Sequence, residues 1–163
     1  MDPSADTTTI RDGASVVVLD AQYWPVVFAT WIDEPSEGAV TRYFEASDKL
    51  FVRARAARER FVLVTDTVHT KRPSAKVRKL IADKTEAQPK DAPELTMGSI
   101  IVVESALIRG VVTALTRILP RMRDSEIVGS ITEAIHRALA IVDSKGMARP
   151  KALSASSYRR PPA

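Results

Sequence analysis

Apolar residues recur along this chain in two rhythms, and the switching between them implies alternating strands and helices. Short apolar or β-branched runs at 16–19, 26–31, 61–64 and 100–103 predict strands. Ile100, Ile101, Val102 and Val103 are apolar at every position, which suits a central parallel strand covered on both faces. The first two runs are joined only by Asp20, Ala21, Gln22, Tyr23, Trp24 and Pro25, short enough for a hairpin and so for an antiparallel start. Between the strands the spacing becomes helical. Val40, Tyr43, Phe44, Leu50, Phe51 and Ala54 follow the candidate cap Ser36, and Val77, Leu80 and Ile81 follow Ser74. After Ser105 comes a wide stripe through Leu107, Ile108, Val111, Val112, Leu115, Ile118 and Leu119, stopped by Pro120, which predicts a well-buried helix. A weak strand near Ile127 and Val128 leads to Ser130 and Glu133, spaced as a capping box, and to a last helix that Gly146 should end. The predicted order is β-β-α-β-α-β-α-β-α. The fold class is therefore α/β, a mixed, mainly parallel sheet with right-handed crossovers and helices packed on it.

Composition adds limits. Residues 1–13 are small and polar, and residues 146–163 are basic and rich in Pro, Ser, Ala and Arg without apolar period, so both read as disordered segments around a domain at 14–145. The chain of 163 residues is 45% hydrophobic, enough to bury a sizeable core. With no cysteine, thiol chemistry and thiolate metal sites are excluded, in keeping with a reducing cytoplasm. No basic-then-apolar leader opens the chain and no segment approaches a membrane span, so a cytoplasmic protein is expected. The formal charge of +4 equals the four cations Arg149, Lys151, Arg159 and Arg160 of the last segment, which leaves the remainder near neutral. Nucleic acid is thus not the expected partner.

The opening strands, the strand FVLVTD (Phe61 to Asp66) running toward a helix, and IIVVES (Ile100 to Ser105) leading into ALIRGVVTAL resemble the STAS-like (SpoIIAA-like) bacterial proteins, which share the fold of anti-sigma-factor antagonists. The resemblance covers roughly residues 15–144 and implies a STAS-like domain working as a regulatory, protein-binding module. Family members that act as phosphorylation switches carry an Asp-Ser-Ser/Thr-Gly turn after the matching strand. Here the stretch is Thr67 to Ser74, with no Asp-Ser pair and no glycine, so the layout carries over and the switch motif does not.

Several side chains are candidates for function. Lys71, Arg72, Lys76 and Lys79 form the densest one-sign cluster of the domain, either a docking face for an acidic protein partner or a solvated helix side. Ser74, at a helix start beside these cations, is an ordinary N-cap or a phosphosite. Tyr23 and Trp24 either anchor a partner or fold back onto the sheet. Asp66 and Glu104 lie at the carboxyl ends of strands, where α/β proteins place ligands, though a turn-forming Asp66 and a capping Ser105 also explain the pattern. His69 reads as a turn residue and His136 as helix surface; no metal set, cofactor fingerprint or catalytic motif appears, so no cofactor, metal or catalytic residue is expected. The expectation is a non-enzymatic module that binds a protein partner, with self-association allowed. A small-molecule or lipid carrier and a switch through Ser74 are the alternatives.

Overall fold

The computed structural model describes residues 6–163. It is an α/β fold: one six-stranded sheet in sequential order β1-β2-β3-β4-β5-β6, with five helices among the described residues. The strands are β1 (Thr7–Asp12), β2 (Ser15–Asp20), β3 (Val26–Asp33), β4 (Phe61–Thr70), β5 (Thr96–Val102) and β6 (Glu126–Val128). The helices are α1 (Glu37–Ala57), α2 (Ala75–Glu86), the single turn α3 (Ala92–Leu95), α4 (Ala106–Ile118) and α5 (Ile131–Ser144). β1, β2 and β3 pair antiparallel, and β3 through β6 pair parallel. Ile100 to Val103 are all buried and β5 lies between β4 and β6, as the unbroken apolar run predicts.

Sequential strand order decides where the helices go. Right-handed crossovers between successive neighbours place their helices on one face of a sheet, while a helix after the last strand is free to cover the other. Accordingly, odd-numbered β3 residues such as Val27 and Ala29 share a core with α1, and Ile101 and Val103 pack on Ile108 and Val112 of α4. The even-numbered Phe28, Val62, Val64, Ile100 and Val102 pack on Ala134, Ile135, Ala138 and Val142 of α5. Gly98 allows that helix to sit close, since a Cβ there would stand 2.7 Å from the Ile141 side chain.

The caps follow the sequence. Ser36, Ser74, Ser105 and Ser130 each accept an N–H from the third residue onward. Glu133, however, reaches back to the Gly129 N–H rather than to that of Ser130 itself. Gly146 at φ 67° ends α5 with its N–H on Asp143. Ser130→Ala should therefore cost about 1 kcal/mol in a urea melt, and a Ser130→Asp variant should recover it.

Three expectations are corrected. Of the supposedly disordered segment 1–13, residues 1–5 lie outside the described residues, but Thr7–Asp12 form β1, paired to β2 over its whole length. A Thr-rich run favours extended backbone, Ile10 enters the core at 6% exposure, and Asp12 accepts the Ser36 hydroxyl at 2.5 Å, tying the strand to the start of α1. The strand carrying Phe61 to Asp66 continues to Thr70, so Asp66 and His69 are strand rather than turn residues. Finally, α4 is not well buried. Only Ile108 and Val112 of the helix are covered, and Leu107 and Ile118 are 57% and 72% exposed.

Candidate functional site

The two faces of the sheet present different chemistry. On the α1–α2–α4 face, a cavity of about 520 Å³ lies over β4 and β5. Its floor carries Leu63, Thr65 and Ile101, and its walls carry Phe44 and Phe51 of α1, Ile81 of α2 and Val112 of α4. Ser47 also faces it. That side chain is buried, and its Oγ has no hydrogen-bond partner, although it lies near enough to the Tyr43 hydroxyl to oppose the rise that burial imposes there. The lining is mainly apolar but also carries Thr67, Ser99, Ser125, Arg121 and Asp124, and an apolar cavity with convergent polar groups has the character of small-molecule sites. Val111 and Leu115 line both this cavity and an outer groove against Arg72, Arg78 and Lys79, so α4 is the wall between the two.

The other face holds a polar cluster in the carboxyl-terminal halves of β3 and β4 and just past the end of β5. Asp66 is 0% exposed and is met by a cation: Arg160 Nε donates to its Oδ2 at 2.5 Å. The Arg160 Nη2 group donates to Glu104 at 3.2 Å. Burial works against the Arg160 cation, but the two carboxylates outweigh it and hold its pKa above the ordinary arginine value. Thr30 sits beside Asp66 in register, and its hydroxyl is buried without a hydrogen-bond partner.

Arg160 comes from a segment expected to be loose. Residues 146–163 have no helix or strand, but they are ordered against the domain. Leu153 and Tyr158 are buried in the α5 core, the Tyr158 ring stacks on Phe28 at 4.3 Å, and Arg149 pairs with Asp143. Two of the four cations that make up the formal excess are thus committed to carboxylates of the fold. We call this segment the strap.

Burial raises the Tyr158 pKa above the usual tyrosine value, with the nearby Asp66 and Asp20 charges adding to it and Thr30 opposing. A raised folded-state value means stability that is intact below the unfolded value of about 10 and lost as the pH rises toward the folded one. Urea melts between pH 9 and 11 should show stability falling, and Tyr158→Phe should remove part of that fall. An unchanged slope in the variant would place the alkaline sensitivity elsewhere.

The other singled-out residues are distributed differently. Tyr23 and Trp24 fold back: Tyr23 packs edge-on to Phe28 and Tyr158, and Trp24 tilts on Phe61 under the Arg53 guanidinium with its Nε1 donating to Glu59. They are not free anchors, because the hairpin connection lies across both cores. In the basic cluster, Lys71 pairs with Asp33, Lys76 with Glu37 and Lys79 with Asp83. Of the four, Arg72 alone makes no ion pair among the described residues. Ser74 is the N-cap of α2, accepting from Val77 at 3.2 Å, and its exposed hydroxyl is not part of either site. His69 and His136 are exposed.

Among the described residues no helix is long and apolar enough to cross a membrane, and no group of three or more acidic or histidine side chains is placed to hold a metal. Neither a protein-family model nor a curated protein matches the chain.

Proposed function

We propose that the protein is a non-enzymatic binding module whose cavity takes an elongated apolar small molecule, with α4 as its cover. The observation that carries this reading is the 520 Å³ chamber. Closely packed interiors leave few voids larger than a water molecule, so an apolar space of this size on a folded domain has the proportions of a guest site. The weak seating of α4, whose Leu107 and Ile118 remain outside, supplies a helix that can part from the sheet with little loss of packing. This is the carrier alternative with its pocket moved. The carboxyl ends of the strands, where that pocket was expected, are filled by the strap.

Organic extraction of the freshly purified protein followed by mass spectrometry should recover an apolar compound in near-stoichiometric amount. Extracted protein should then bind 1-anilinonaphthalene-8-sulfonate at one saturable site. If neither a co-purified compound nor a saturable site is found, the carrier reading fails.

A second reading keeps the expected protein partner, self-association included, and moves it from the Lys71–Lys79 face to the groove beside α4. Exposed Leu107 and Ile118 next to Arg72 and Arg78 favour it, because apolar contact and unpaired cations lie together there. Leu107→Glu with Ile118→Glu should abolish partner capture in affinity purification and leave extraction of the guest unchanged. The resemblance of the sequence to STAS-like proteins is in keeping with a binding role in either form.

A further inference from the structure

The strap is held as a bound peptide is held, by a few side chains rather than by backbone ladders. Its hold on the domain rests on Leu153, Tyr158 and Arg160, together with the Arg149–Asp143 pair at its root. Tyr158 and Arg160 stand two positions apart, the spacing at which an extended chain presents both side chains to one surface. What receives them is prepared. A carboxylate removed wholly from water is retained only when a cation meets it, since an unpaired buried charge costs several kcal/mol. For Asp66 that cation comes from 94 positions further along the chain. Thr30, 1% exposed and beside Asp66 in register, turns its hydroxyl toward that of Tyr158, close enough to oppose the rise that burial imposes there. This is the ligand-binding edge of a parallel sheet, with the chain's own segment in the ligand's place.

We propose that Thr30, Asp66 and Glu104 form a receptor site for a Tyr-Arg segment, filled in cis by the strap and open to the strap of a second copy of this chain. Eight residues, 145–152, separate α5 from Leu153, and extended they span about 25 Å, enough to carry the anchors to a neighbouring molecule. Exchange of this kind uses the contacts already present, which makes it a low-cost route to a dimer. The site lies on the face opposite the cavity, so this inference and the carrier reading can fail separately.

Two full-length variants test it. Arg160→Ala keeps the receptor and spoils the strap; Asp66→Asn keeps the strap and spoils the receptor. Mixed at equal concentration with different affinity tags, they should form a mixed dimer by complementation, seen on tandem purification and size exclusion, while each alone does so at least tenfold less. In parallel, a fluorescent peptide of residues 153–163 should bind Arg160→Ala at least tenfold more tightly than the intact chain, whose own strap competes. An alanine at the Arg160 position of the peptide should abolish that binding. If Arg160→Ala does not fold, Arg160→Lys, which keeps a charge for Asp66 but loses the guanidinium fork, takes its place. Absence of a mixed dimer, with peptide binding no tighter than to the intact chain, would overturn the proposal and leave the strap as a structural clasp.

Discussion

Arg160→Ala should destabilise the protein by about 3 kcal/mol, far more than deletion of any other ion pair among the described residues. The reason is the partner left behind. Asp66 is 0% exposed and the Arg160 side chain 25% exposed, so removing the cation strands a carboxyl group that pairs with no other cation among the described residues. The chain can respond by lifting the strap to hydrate Asp66, but only by uncovering Phe28 and giving up burial of Tyr158 and Leu153. Arg160→Ala combined with Asp66→Asn should recover much of the loss, because the double variant buries an amide rather than a charge. Breaking Lys79–Asp83, whose side chains are 76% and 60% exposed, should change little, since solvent already screens that pair. Urea melts of the four chains in a double-mutant cycle supply the numbers. A shift below about 0.5 kcal/mol for Arg160→Ala, within the range of ordinary surface changes, would mean that the strap does not hold Asp66 in solution.

Ser47→Leu should move in the opposite direction, raising stability by about 1–2 kcal/mol while weakening capture of an apolar guest at least tenfold. Three causes act together. The substitution removes a buried hydroxyl that meets only the Tyr43 hydroxyl, outside good hydrogen-bond geometry, and so relieves part of a desolvation cost of about 1–3 kcal/mol. It replaces a modest helix former with a good one inside α1. It also pushes methyl groups into empty space rather than into packed neighbours, because Ser47 lines the cavity. In a filled core the same enlargement would destabilise by about 1–3 kcal/mol. The sign of the effect thus reports whether the chamber exists. Thermal melts and titration with 1-anilinonaphthalene-8-sulfonate give both readouts, and a destabilised variant with unchanged probe binding would remove the basis for the carrier reading.

Neither site was fully legible in the sequence, for different reasons. The strap lacks periodicity, and periodicity is what separates order from disorder in a single sequence; its order depends on three anchors matched to a groove made by β3, β4 and α5. Asp66, which the sequence reads as the end of its strand, carried a signal for a ligand edge, but Arg160 carried none, since nothing local relates residues 94 positions apart. The cavity was hidden by the same stripe that predicted burial of α4. A wide apolar face states that a helix has something to cover, not how closely it is seated.

Local physics determined the elements. Apolar runs of period two and 3.6 located β2 to β6 and the four longer helices, four serines marked the caps, and Gly146 marked the stop, because each depends on residues within a turn of one another. Only the tertiary structure decided which faces met. It recruited the Thr-rich start as an edge strand, laid the strap on the α5 side, folded Tyr23 and Trp24 inward, and left α4 standing off the sheet over an apolar chamber. Each of those outcomes depends on contacts between segments far apart in the chain, where composition and spacing hold no information.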